Sequence, residues 1–346
     1  MKTKYIVWDE KYGFQKNDLE EAGQIIADGG LIAFPTETVY GLGGNGLQSE
    51  AADKIYAAKG RPSDNPLILH IGDKDHLQFY VKEISIEAKK LCETFWPGPL
   101  TMIFDKDECI PYTTTGGLDT VAVRMPRHVG ALAFLKSLDF PVAAPSANLS
   151  GKPSPTDATH VKDDLDGRID MIIDGGRVDI GIESTIVDMT GITPVILRPG
   201  SITKEMLKEV IGQSITDFHG ELHQTLTPKA PGMKYRHYAP KAKMTVVDGH
   251  ITETVTRIND LVSKYPSGTI GILATEETKD QYRKGYVVSM GSRKERTLSR
   301  ELYRAIREVD RFGINQIFAE GFSKEPNAEA LMNRLEKAAG HNIITL

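Results

Sequence analysis

Two pairs of polar side chains, each two residues apart and each beside a proline, could carry chemistry: Lys59 and Arg61 in KGRPSDNP, and Ser146 and Asn148 in PSAN. In an extended segment residues i and i+2 point the same way, and a residue before proline is pushed to extended backbone, so Lys59 and Arg61 are expected to face one spot. Two cations held there suit an anion such as phosphate, which the hydroxyl of Ser146 and the amide of Asn148 would orient through neutral hydrogen bonds. Each stretch also has a plainer account. Lys59 can end a helix, where positive charge is favourable, and PSAN can be a Ser- or Asx-turn. Arg124 in VAVRMP and Arg198 in ILRPG are charges inside apolar runs. Burying an unpaired guanidinium is costly, so each requires a carboxylate or phosphate partner, internal or bound. Glu183, Ser184 and Thr185 open a further run after a polar turn, where a simple cap also accounts for them.

Other chemistries lack their residues. GLGGNG at 41–46 has the spacing of a dinucleotide fingerprint, but PTETVY separates it from its strand and no suitably placed acid follows. There is no P-loop, HExxH or GxSxG, and spacing alone does not gather the nine histidines into a metal-ligand set, except by accident of folding. Cys92 and Cys109 offer neither a zinc set nor a disulfide framework, which fits a reducing cytoplasm. A formal net charge of −5 lacks the basic excess of a protein held to nucleic acid through phosphates, so tight direct RNA binding is not expected. The charged N-terminus and the lack of a long apolar run imply neither a signal peptide nor a membrane span, and leave the sequon at Asn148 without a route to glycosylation.

The elements that must hold these residues follow from periodicity. With 346 residues, 40% of them hydrophobic, the chain can bury sizeable cores in about two domains. Asn17 and Glu20 resemble a capping box for a helix over about 18–28, and Ser49 is read as the cap of a second helix that Gly60 ends. Strands are expected at LIAFPT, LILHI, TMIF, VAVRMP, PVAAP, MIID, STIVDM and PVILR, interleaved with helices, giving a mixed α/β domain over 1–212. Periodicity fails over 213–243, a Pro-containing connector rich in Lys, Arg, His and Tyr. Over 244–346 strands alternate with helices again, which predicts a smaller, largely parallel, Rossmann-like sheet. One of those helices carries Leu298, Leu302, Ile306, Val309 and Phe312 as a core stripe.

Taken together, AFPTETVYGLG, KGRPSDNPL, WPGPLT, VAVRMP, PVAAPSANLSG and ESTIVD resemble the YrdC-like threonylcarbamoyl-AMP synthases, and APGMKYRHYAP followed by an α/β domain resembles the longer, two-domain branch of that family. The resemblance implies a twisted open α/β sheet. It also implies synthesis of L-threonylcarbamoyl-AMP and pyrophosphate from L-threonine, bicarbonate and ATP with Mg²⁺ carried on the ATP phosphates, and hand-over to the tRNA threonylcarbamoyl-transfer machinery. By the same resemblance Lys59, Arg61, Ser146 and Asn148 serve catalysis. Thr38, His70, Arg124, the backbone of Ala144, and Ser184 would surround threonine, and Arg61, Asn65, Thr120, Ser146, Ser154 and Arg198 would line the ATP side. Tyr235 and His237 would close over the nucleotide. Two other readings stay open: a carbamoyl-adenylate former using carbamoyl phosphate on the same fold, and a double-stranded RNA-binding module.

Overall fold

Runs of Val, Ile, Leu and Ala too short for helices become strands buried on both faces, as mixed α/β sheets require. The computed structural model describes residues 2–15, 17–212, 215–217, 229–230 and 237–346. Their packing forms two units, one of Met1–Ser150, Pro155–Asp179 and Glu183–Lys234, the other of Gly151–Ser154, Ile180–Ile182 and Tyr235–Leu346.

The first unit runs β1 (Lys4–Val7), α1 (Asp18–Ala27), β2 (Ile32–Phe34), β3 (Gly41–Asn45), α2 (Ser49–Lys59), β4 (Ile68–His70), α3 (Ile86–Phe95), β5 (Leu100–Asp105), β6 (Thr120–Arg124), α4 (Val129–Lys136), β7 (Val142–Ala144), α5 (Ala158–Leu165), β8 (Met171–Asp174), β9 (Thr185–Asp188), β10 (Val195–Arg198), α6 (Lys204–Ile211) and β11 (Thr216–Asp217). The strands form one mixed sheet of order β1-β8-β2-β3-β7-β4-β6-β5-β9-β10-β11. On one face Ile55, Leu91, Val161 and Leu207 of α2, α3, α5 and α6 pack on Leu69, Met102, Val123 and Val187. On the other, α1 and α4 place Ile26, Phe134 and Leu135 over Ile32, Val142 and Ile173, which covers the β1 to β7 part. Over β4, β6, β5 and β9 that second face carries a small apolar group, Ile68, Ala122, Ile103 and Ile186, topped by Ala230.

The helix starts differ from expectation. Asn17 is in the left-handed region and makes no side-chain cap bond, and the residue before α2 is Gln48, with Ser49 already helical. The glycine run also differs: Gly41–Asn45 is a buried strand. A Cβ on Gly43 would lie 2.6 Å from Val142, and one on Gly46 2.6 Å from Leu69, so these glycines serve close packing.

The second unit contains β12 (Lys243–Asp248), α7 (Ile251–Ser263), β13 (Ile270–Ala274), β14 (Tyr286–Ser289), α8 (Leu298–Asp310), β15 (Gln316–Glu320), α9 (Glu329–Ala338) and β16 (Ile343–Thr345). Its sheet, of order β14-β13-β15-β12-β16, is parallel throughout. Leu302, Ile306 and Val309 of α8 are fully buried, whereas Phe312 lies beyond the helix end, half exposed and stacked on Tyr286.

Candidate active site

Pairing across the sheet brings polar residues from distant segments into one row. Val142, His70, Arg124, Thr101, Ile186 and Arg198 are successive cross-strand partners on β7, β4, β6, β5, β9 and β10. They share the face that carries Ile68 and Ala122, because side chains alternate along each strand. Arg198 belongs there because of a β-bulge: the register skips one residue between Ile196, opposite Val187, and Arg198, opposite Ile186. The next row is Ala144, Ile68, Ala122, Ile103 and Asp188, an apolar floor ending in an acid.

Arg124 is buried at the end of β6. Its Nη1 donates to Thr38 Oγ1 at 2.8 Å and its Nε to the Gly98 carbonyl at 3.3 Å. Its Nη2 lies 2.8 Å from Glu37 Oε1, a buried ion pair. That contact is coulombic and not an aligned hydrogen bond: among the described residues neither Nη2 nor either Glu37 carboxylate oxygen has a hydrogen-bond partner. The internal partner that Arg124 requires is therefore Glu37, from PTETVY, a residue that sequence reasoning passed over. The Thr38 hydroxyl is fixed by Thr36 Oγ1 at 2.9 Å. Beside Arg124, the Nδ1 of His70 donates to the Ile68 carbonyl at 3.1 Å, and the ring meets Phe34 edge-on. Burial, reinforced by the Arg124 charge, pushes the His70 pKa down to about 3, so the imidazole is neutral at neutral pH. Ser184 Oγ sits 2.7 Å from Thr101 Oγ1 and accepts from Arg198 Nη2 at 3.1 Å, while Arg198 Nε donates to the Ser184 carbonyl at 3.0 Å. Arg198, expected on the nucleotide side, thus meets Ser184, expected on the amino-acid side.

Lys59 and Arg61 do not form an extended pair. Lys59 ends α2, Gly60 follows in the left-handed region with φ 62°, and Arg61 N–H caps the Tyr56 carbonyl at 2.9 Å, so the two side chains part. Lys59 is buried and its ammonium donates to the Ser146 carbonyl and, at 2.6 Å, to that of Asn148. Ser146 Oγ in turn donates to Asn148 Oδ1 at 2.6 Å. The PSAN turn and the lysine thus meet directly. Arg61 bends onto its own loop, with Nη2 donating to the carbonyls of Asn65 at 3.3 Å and Pro66 at 3.2 Å. This shapes the segment before β4, where the Asn65 Oδ1 is buried without a hydrogen-bond partner among the described residues. Thr120 Oγ1 is in the same state at the start of β6. Continuing the Ile68–Ala122 register two residues back sets Thr120 level with Pro66, beside Asn65.

Ser154 is fully buried and packs with the second unit, as does His237, whose ring lies 5.5 Å from that of Tyr238. Tyr235 lies outside the described residues. Part of the connector reaches the first unit's floor: Ala230 is fully buried against it, and Lys229 Nζ pairs with Asp188 Oδ2 at 3.0 Å. Among the described residues no group of three or more His, Cys, Asp or Glu could hold a metal ion, and no helix is long and apolar enough to cross a membrane.

Compared with known proteins, residues 24–200 match the family model for Sua5, YciO and YrdC, described as telomere recombination. Residues 202–340 match one described as threonylcarbamoyl-AMP synthase, C-terminal domain. The chain is 46% identical over 327 residues to a threonylcarbamoyl-AMP synthase of Pyrococcus abyssi, covering 93% of this chain and 94% of that one. It is 46% identical over 350 residues to one of Bacillus subtilis, covering 99% and 100%. The crystal structure of P. abyssi Sua5 complexed with L-threonine shares 44% identity and a TM-score of 0.92 across 99% of this chain and 100% of that one.

Proposed function

The chain belongs to the Sua5, YciO and YrdC family, and we propose that it makes L-threonylcarbamoyl-AMP and pyrophosphate from L-threonine, bicarbonate and ATP. The observation that carries this reading is the buried guanidinium of Arg124, whose Nη2 has no aligned hydrogen bond among the described residues, set between a neutral histidine and the Thr38 hydroxyl. A guanidinium so placed binds a carboxylate, and a relative of 44% identity binds L-threonine.

The amine of threonine attacks the bicarbonate carbon, and the resulting carbamate oxygen attacks the α-phosphorus of ATP as pyrophosphate leaves, which makes the enzyme a nucleotidyltransferase. No protein nucleophile is required. Charge gathers on phosphate oxygens in the transition state, so the protein's part is to hold fixed cations and donors near them. Lys59 supplies a buried charge while locking the Ser146–Asn148 turn, and Arg61 shapes the loop that presents Asn65. Asn65 Oδ1 and Thr120 Oγ1, which have no hydrogen-bond partner among the described residues, are where nucleotide hydrogen bonds would form. A Mg²⁺ ion would arrive on the ATP phosphates and neutralise their charge. The adenylate then passes to the machinery that modifies tRNA, in the cytoplasm. Pyrophosphate release from ATP should require threonine and bicarbonate together; equal release without threonine overturns the reading, and release driven by carbamoyl phosphate would replace it.

A further inference from the structure

We propose that Glu37 is a catalytic residue that receives the ammonium of threonine and takes its proton, freeing the amine to attack bicarbonate. This rests on the function proposed above. Threonine enters as a zwitterion, and its ammonium is no nucleophile until it loses a proton. The site offers the zwitterion a matched pair of charges. Arg124 Nη2 and Glu37 Oε1 are 2.8 Å apart, each is almost wholly buried, and neither makes an aligned hydrogen bond among the described residues. A carboxylate buried with both oxygens lacking hydrogen-bond donors is costly, and the cost is relieved by a bound group that donates. In an α-amino acid the ammonium and carboxylate are attached to the same carbon, so a carboxylate seated on Arg124 brings the ammonium within reach of Glu37.

The step balances. The ammonium gives one proton to the Glu37 carboxylate, the neutral amine forms the N–C bond to bicarbonate, and the C–O bond breaks with its hydroxyl leaving as water, which takes up the amine's second proton. The carbamate retains one N–H, and Glu37 returns its proton to solvent. The titratable groups around Glu37 are Arg124 on β6, His70 beside it on β4, and His128 at the start of α4. Burial lowers the pKa of both histidines, so above pH 7 they are neutral and do not contribute a titration of their own.

The test is threonine- and bicarbonate-dependent pyrophosphate release between about pH 7 and 9.5 by the wild-type full chain, Glu37→Gln and Glu37→Asp, each with its melting temperature. Wild type is expected to be flat. Glu37→Gln should be slower by about 100-fold or more at pH 7, the range of a lost general base, and climb about tenfold per pH unit as free amine accumulates. Glu37→Asp still pairs with Arg124 but withdraws the carboxylate by one methylene, so its kcat should fall at least about tenfold at an unchanged melting temperature. It decides the matter should the glutamine variant, which leaves Arg124 unpaired, fail to fold. Wild-type kcat in either folded variant overturns the proposal, as does a loss in the glutamine variant that is the same at every pH. Wild type showing no threonine-dependent release removes the underlying function instead, and this inference with it.

Discussion

At the scale of single residues, the site is built from charges and dipoles placed where they are costly. Arg124 was legible because a guanidinium inside VAVRMP demands a partner. Glu37 was not, because nothing in PTETVY shows that its carboxylate turns inward to β6, a contact set by folding. Arg124→Lys keeps the charge but cannot reproduce the bonds to Thr38 and Gly98 together with the Glu37 contact. It should raise the threonine KM by about 30-fold or more, roughly the 2–5 kcal/mol of a disrupted buried pair, and steady-state kinetics will show it. His70 makes a prediction in pH. Its folded pKa is about 3 against an ordinary 6.5, so below pH 6.5 the unfolded chain takes a proton that the folded chain refuses. Its contribution to stability is complete above about pH 6.5 and drains away towards pH 3, at up to about 1.4 kcal/mol per pH unit. Denaturant titrations of His70→Gln should show a flatter dependence over that window. An unchanged slope would mean that the wild-type ring does not stay neutral.

At the scale of elements, most strands of the first sheet were legible because they are short apolar runs, whereas the buried strand Gly41–Asn45, made largely of glycine, was not. Turn geometry was harder. KGRP reads as extended from its proline, yet Gly60 closes a helix one residue earlier and sends Lys59 to the PSAN turn, a partner 87 residues away. The dependence of that turn on Lys59 is testable. Lys59→Met fills the space but leaves the Ser146 and Asn148 carbonyls without their donor, so stability should fall by about 1–3 kcal/mol. Turnover should fall by more than about 100-fold, since both the charge and the turn are lost. A fully active variant would leave Lys59 only a helix end. The glycine strand gives a sharper packing test. Gly43→Ala places a Cβ 2.6 Å from Val142 and 3.0 Å from Phe34 in the core, and thermal melts should report about 1–3 kcal/mol of overpacking.

At the scale of the whole molecule, the alternation of strands and helices announced two α/β units. That Gly151–Ser154 and Ile180–Ile182 pack with the second of them was invisible, since this depends on contacts between segments far apart in sequence. The connector holds a prediction of its own. Ala230 is buried on the floor formed by Ile68, Ala122, Ile103 and Ile186. Ala230→Glu should lift it off at a cost of only about 1 kcal/mol in apolar burial, so the melting temperature should move little. If the connector shields the adenylate from water, turnover to intact product should drop by about tenfold; if the connector is merely a tether, it will not. Strand β6 has a consequence for the reactants themselves. Thr120, proposed for the nucleotide, and Arg124, proposed for threonine, stand on one face of one strand, four residues and thus about 13 Å apart. That distance is a ruler with fixed graduations: sliding one pole by a single residue turns it to the opposite face, and the next usable mark is about 6.6 Å away. The gap between amino acid and nucleotide therefore cannot drift gradually under mutation of the strand, and any enzyme of this architecture that accepts a longer or shorter bridge must change the loops at the strand's two ends.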